Sequence, residues 1–134
     1  MTSFPLKIVT PDGLAFDGQA EELIVRTTTG DLGILAGHIS CVAPLGMGQA
    51  TIMVDGKKRY AACIGGMVSV VNGEVTLVPT TFEWADEIDA SRADASYQRA
   101  QKVLNAKGSS STDIKLAQAR LRRALVRKSV ASIK

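Results

Sequence analysis

Asp89, Arg92 and Arg99 follow one another at steps of three and seven, and Arg120, Arg123 and Arg127 at steps of three and four. On a helix those steps return to nearly the same azimuth, so each set forms a lengthwise row of guanidinium groups, the first headed by an acid. Such a row supports two kinds of chemistry. It can lie in solvent with local ion pairs, an Asp89–Arg92 pair contributing only ~0.5 kcal/mol, or it can offer forked donors to an anionic ligand. Other chemistry is short of residues. His38 is the one histidine, and Cys41 and Cys63 stand apart from each other and from any metal-type partner. Neither a zinc site nor a Cys–His nucleophile has ligands to spare, and two buried, reduced thiols are expected. The glycines of Gly30-Asp-Leu-Gly33 and Gly46-Met-Gly48 precede no Lys-Ser/Thr pair and no credible helix, so both stretches read as turns rather than phosphate loops. With no paired acid and base and no nucleophile constellation, a stand-alone enzyme is not expected.

The arginine rows must sit on helices, and the sequence supplies two. In Glu83–Arg99, Asp86 is the expected cap of the first helix, with Glu87 and Asp89 adding negative charge at the positive end of its dipole. Ala90, Ala93, Tyr97, Ala100 and Leu104 then recur at spacings of three and four and make one apolar stripe. Lys107–Thr112 reads as a loop whose Ser111 or Thr112 caps a second helix, with a seam of Ile114, Ala117, Leu121 and Ala124. Two alanine-rich seams joined by a short loop predict an antiparallel hairpin with close axes.

Upstream the pattern is different. Leu6–Thr10 alternates like a half-buried strand and stops at Pro11-Asp-Gly13; Phe16-Asp-Gly18 reads as another turn and Glu22–Thr27 as a second strand. Thr29–Gly33 reads as a turn into Ile34-Leu35. Asp55-Gly56 and Asn72-Gly73 each lie between strand-like runs and signal hairpins. The expectation is an α+β chain: an N-terminal antiparallel β-sandwich or flattened barrel over residues 1–84, then a two-helix hairpin over 85–134.

Composition agrees with that division. Residues 1–86 hold five Lys+Arg against nine Asp+Glu, a balance of −4, and residues 87–134 hold eleven against four, a balance of +7. A basic arm on an acidic body points to an anionic partner for the arm. A nucleic-acid module is the alternative class, but no aromatic stacking pattern accompanies the arginines and the body is acidic. Leu32–Val54 lacks Lys, Arg, Asp and Glu, yet four glycines, Pro44, His38, Ser40 and Gln49 interrupt it, so no membrane span is expected. The opening MTSFPLKIV reads as a tail and first strand rather than a signal peptide. A soluble, cytosolic protein is expected.

Ile8-Val-Thr-Pro-Asp-Gly13, Gly30-Asp-Leu-Gly-Ile-Leu35 with Gly37-His38, Gly65-Gly66 and Ile88-Asp89-Ala-Ser-Arg92-Ala93 together resemble the bacterial epsilon subunit of the rotary F-type ATP synthase, in order and over nearly the whole chain. One departure is visible: the family shows proline two residues after the histidine, where this chain has Ser40. The resemblance implies a non-catalytic rotor subunit of a proton-translocating enzyme, peripheral to the cell membrane on its cytoplasmic side. It implies a sandwich held against the gamma subunit and the c-subunit ring, and a hairpin that extends toward the alpha and beta subunits to inhibit ATP hydrolysis. ATP, with or without magnesium, is implied as a regulatory ligand of the folded hairpin, with no catalytic cofactor. The matching positions are Glu83, Ile88, Asp89, Arg92, Ala93, Arg99, Arg123 and Arg127 for ATP, and Asp31 and His38 for partner contacts. The same rotor subunit with a hairpin that does not bind ATP remains the alternative, its arginines then reserved for acidic partner surfaces.

Overall fold

Phe4, Leu6 and Ile8 alternate with exposed neighbours and are buried, so the first strand turns one side to a core. The computed structural model describes residues 2–106, 108 and 110–133. Eight strands follow in order: β1 (Phe4–Thr10), β2 (Gly13–Ala20), β3 (Glu22–Thr27), β4 (Gly30–Ile34), β5 (Cys41–Pro44), β6 (Met47–Val54), β7 (Lys57–Val71) and β8 (Glu74–Trp84). They form one sheet in the order β2-β1-β8-β7-β6-β3-β4, with β5 paired to β7 off that path. β1 pairs β8 in parallel, and the other pairings among the described residues are antiparallel. The core is aliphatic: Leu6, Ile8, Leu23, Val25, Ile34, Ile52, Val68, Val70 and Leu77 are shut away from solvent.

The two hairpin signals are realised. Asp55 and Asn72 adopt φ of 52° and 49°, and Gly56 and Gly73 follow with positive φ, the backbone a tight β6–β7 or β7–β8 turn requires. Three expected turns are not turns. Phe16, Asp17 and Gly18 lie inside β2 opposite Ile8, Lys7 and Leu6, with the irregularity shifted to a bulge at Ile8/Val9. Pairing along a whole strand outweighs the local turn preference of Asp-Gly. Gly30-Asp-Leu-Gly33 belongs to β4, because the reversal is made earlier: Thr27 Oγ1 accepts the Thr29 N–H (3.3 Å) and donates to the Gly30 carbonyl (2.6 Å). Gly48 lies within β6. β7 runs unbroken through Gly65-Gly66, at φ of 67° and 100°; a Cβ on Gly66 would collide with the Val78 carbonyl.

The chain divides after Trp84 into two compact units, residues 1–84 and 85–134. The second begins with a single 3-10 turn, Ala85–Glu87, followed by α1 (Ala90–Asn105) and α2 (Ser111–Ala131). The helices pack along alanines: Ala93 and Ala100 on α1 and Ala117 and Ala124 on α2 are buried, while Tyr97, Leu104, Ile114 and Leu121 flank them half-buried. Ala90, the first expected member of the stripe, is exposed at the start of α1. Of the expected loop, Lys107 and Ser109 lie outside the described residues. No described helix is long and apolar enough to cross a membrane.

Candidate functional site

The head of α1 differs from expectation in one residue. Asp89, not Asp86, is the N-cap: its backbone is extended (φ −80°, ψ 101°), and its Oδ1 accepts the Arg92 N–H at 3.1 Å. Asp86 is taken up in the 3-10 turn, so the helix starts three residues later. Ile88, buried just before the cap, donates its N–H to the Ala85 carbonyl at 3.4 Å. The second cap also moves, to Ser110, whose Oγ accepts the Asp113 N–H at 3.0 Å, in place of Ser111 or Thr112.

Helix periodicity around the alanine seam then places the charged groups on either side of it. At ~100° per residue, Arg92 and Arg99 each precede a buried alanine by one position, and Asp89 precedes Ala93 by four, so all three fall on one flank of the seam. On α2, Arg123 precedes Ala124 by one and Arg127 follows it by three, which puts both on the matching flank of an antiparallel partner. Asp94 follows Ala93 by one and Lys128 follows Ala124 by four, and both lie on the opposite flank. There Lys128 Nζ donates to Asp94 Oδ1 at 2.9 Å and sits 4.5 Å from the centre of the Tyr97 ring. This contact fixes the stagger. Arg123 stands near the level of Arg99, and Arg127 about one turn closer to Arg92. Five arginines, Arg92 and Arg99 on α1 and Arg120, Arg123 and Arg127 on α2, thus share one side of the hairpin with the Asp89 cap, Arg120 preceding Ala124 by four as Asp89 precedes Ala93. Asp89, Arg92, Arg99 and Arg123 are exposed, Arg127 is half-buried and Ala93 is buried in the seam.

Glu83 belongs to the strand unit, half-buried in β8 opposite Ala62. Asp31 lies on β4 rather than in a turn, directly opposite Arg26, whose Nε donates to Asp31 Oδ1 at 2.7 Å. His38 follows the Gly37 turn. Its Nδ1 lies 2.7 Å from the Ile39 carbonyl, which can only accept, so Nδ1 carries the proton. Cys41 is not isolated: its Sγ lies 4.0 Å from that same Nδ1, and the residue is half-buried, whereas Cys63 is buried as expected. Burial pushes the Cys63 thiol from an ordinary 9.0 up to about 12. Ser40, at the usual proline position, accepts the Asn72 N–H through Oγ at 3.2 Å and so ties the His38 loop to the β7–β8 turn. Sequence reasoning missed the Asp94–Lys128 contact and the Arg26–Asp31 pair. Both carried a readable signal: Asp94 and Lys128 stand on the flank that the arginines leave empty, and Arg26 and Asp31 fall opposite once the reversal is set at Thr28-Thr29.

Two family models cover the chain: the ATP synthase delta/epsilon chain β-sandwich domain over residues 3–85 and the long α-helix domain of the same chain over residues 86–132. The sequence is 43% identical over 135 residues to an ATP synthase epsilon chain of Ruminococcus albus, covering 100% of both chains. It is 45% identical over 115 residues to that of Bacillus subtilis, covering 86% of each. Among solved structures it is similar to a chain of the Euglena gracilis mitochondrial ATP synthase, in its OSCP/F1/c-ring portion, with a TM-score of 0.85 and 20% identity over 96% of this chain and 81% of that one. A chain of the Tetrahymena thermophila mitochondrial ATP synthase central stalk and c-ring gives a TM-score of 0.66 at 16% identity, covering 96% of each. At those identities the structural likeness speaks for the fold alone.

Proposed function

The chain belongs to the ATP synthase delta/epsilon family and is an epsilon chain, a non-catalytic subunit of that enzyme, and on this premise we propose that it is a rotor subunit whose helical hairpin senses ATP. In this reading the strand unit sits at the central stalk against the gamma subunit and the c-subunit ring, with Asp31 and His38 at partner contacts. The protein is peripheral to the membrane on the cytoplasmic side and takes part in proton-coupled ATP synthesis. Membership of the delta/epsilon chain family, with epsilon chains as relatives over the whole length, supports that reading.

The observation that carries the ATP reading is the shared flank. Arg92 and Arg99 on α1 and Arg123 and Arg127 on α2 face one side of the hairpin, together with Asp89. An anion there would be gripped by both helices at once, which a separated hairpin could not do. Forked guanidinium donors suit a triphosphate, and the Asp89 carboxylate retains acceptor capacity beyond the helix cap for the adenine end. Ile88, next to the cap, and Ala93, in the seam, are buried, and Glu83, in the strand unit, is matched by the resemblance alone. Magnesium would accompany the nucleotide as its counter-ion.

A ligand of the closed hairpin alone adds RT ln(1 + [L]/Kd) to that state, ~2.7 kcal/mol at a hundredfold excess over Kd. An alanine seam buries little area per residue, so an increment of this size can set the balance between closed and extended forms. The extended form is the one that would reach the alpha and beta subunits and inhibit ATP hydrolysis. Hydrogen exchange in residues 88–133 of the isolated subunit is expected to slow when ATP is added. Unchanged exchange at saturating ATP would favour the second reading, to which the +7 balance of residues 87–134 lends weight: arginines kept for acidic faces of partner subunits.

A further inference from the structure

Arg120 opens the α2 row of arginines, yet it is not among the positions that the resemblance matches to ATP. It stands three after Ala117 and four before Ala124, the buried alanines of the α2 seam, and so lies close beside that seam on the arginine flank. Seven residues separate it from Arg127, as seven separate Arg92 from Arg99. Two arginine pairs of equal spacing therefore face each other across the antiparallel seam, with Arg123 between the members of the α2 pair. Arg120 is exposed and has no ion pair to another described residue. The stagger set by Lys128 and Asp94 orders the row along the hairpin. From the Asp89 end toward the loop come Arg92, then Arg127, then Arg99 beside Arg123, and finally Arg120 about one turn farther on. Along the axis Arg120 stands roughly 20 Å from the Asp89 cap.

We propose that Arg120 reads the last phosphate of the nucleotide and so sets the preference of the hairpin for ATP over ADP. This inference rests on the reading of the flank as an ATP site with the adenine end at Asp89. With the base held there, the phosphate tail runs toward the loop, because the guanidinium donors lie in that direction. Arg92 and Arg127 meet phosphates that both nucleotides possess. Each added phosphate carries the terminal group farther along the row, and the arginine farthest from the base meets only the longer tail. A terminal phosphate has three free oxygens, and the fork of an unpaired arginine can donate to two of them at once.

The test is isothermal titration of ATP and of ADP into the full-length subunit and its variants, with far-ultraviolet circular dichroism as the check on folding. Arg120→Ala places the best helix former at an exposed site and should keep both helices. It should weaken ATP roughly tenfold and leave ADP affinity where it was. Arg120→Gln carries the same test if the dichroism of Arg120→Ala falls. Arg120→Lys keeps the charge without the fork and should recover part of the ATP affinity. Arg92→Ala should weaken both nucleotides together. Arg122 precedes Ala124 by two and stands on the far side of α2, so Arg122→Ala removes the same charge away from the flank and should change neither affinity. Equal losses of ATP and ADP in Arg120→Ala, or a matching ATP loss in Arg122→Ala, would reduce Arg120 to a source of general positive field and overturn the proposal. Parent-like ATP affinity in Arg120→Ala would overturn it and leave the site to the other four arginines. Should the parent bind neither nucleotide, the ATP reading of the flank itself would fall.

Discussion

Asp89 shows how one side chain can serve two ends. It caps α1 through Oδ1 and lies on the arginine flank, so removing it disturbs both the helix and the candidate site. The two effects separate by substitution. Asp89→Asn keeps a good cap and should leave unfolding nearly unchanged, whereas Asp89→Ala should cost ~1 kcal/mol in a denaturant titration. The cap was legible as a type but not as a position, because Asp86, Glu87 and Asp89 compete and the winner is set by β8 ending at Trp84 and the 3-10 turn consuming 85–87. Cys63 makes a second residue-scale prediction. Its folded thiol titrates at about 12 against an ordinary 9.0, so the folded state holds the proton more tightly. The contribution is fully present below pH 9 and is lost as pH rises from there toward 12. Stability should therefore fall above about pH 9, and Cys63→Ala, at some cost in packing, should flatten that slope. A thiol reagent under native conditions should label Cys41 and spare Cys63.

At the scale of elements, the Asp94–Lys128–Tyr97 contact closes the flank of the hairpin that the arginines do not use. Asp94 and Lys128 are 53% and 35% exposed, so their pair is worth ~0.2–1 kcal/mol and weakens with salt; the ring adds ~0.5–1 kcal/mol. Lys128→Met should speed hydrogen exchange along α1 and α2 without ATP, and a double-mutant cycle with Asp94→Asn should give a coupling within the pair's range. Coupling of zero would make the contact incidental. Both helices were legible because three-and-four spacing is a property of the local sequence. The strands were less so. Phe16-Asp-Gly18 carries turn residues yet pairs with β1, and Gly65-Gly66 suggests a break yet lies within one fifteen-residue strand. Pairing partners are distant in sequence, and alternation does not name them.

For the whole molecule, the change from short β runs to alanine-seamed helices was readable end to end, and the fold class with it. The arrangement of charge across the hairpin was only half readable. Each arginine row followed from its own helix, but their common side depends on which face of each helix carries the seam, and the stagger depends on Lys128 meeting Asp94. The central claim is that the common side is an ATP site built from both helices. The most direct measurement is isothermal titration of ATP into the isolated subunit and into Arg92→Ala, Arg123→Ala and Lys58→Ala. A charge-assisted hydrogen bond is worth ~1.5–3 kcal/mol, so Arg92→Ala on α1 and Arg123→Ala on α2 should each weaken ATP roughly ten- to a hundredfold. Lys58→Ala, exposed on β7 of the strand unit, should leave ATP affinity where it was. Parent-like affinity in both arginine variants would contradict the account and leave the arginine flank to partner subunits.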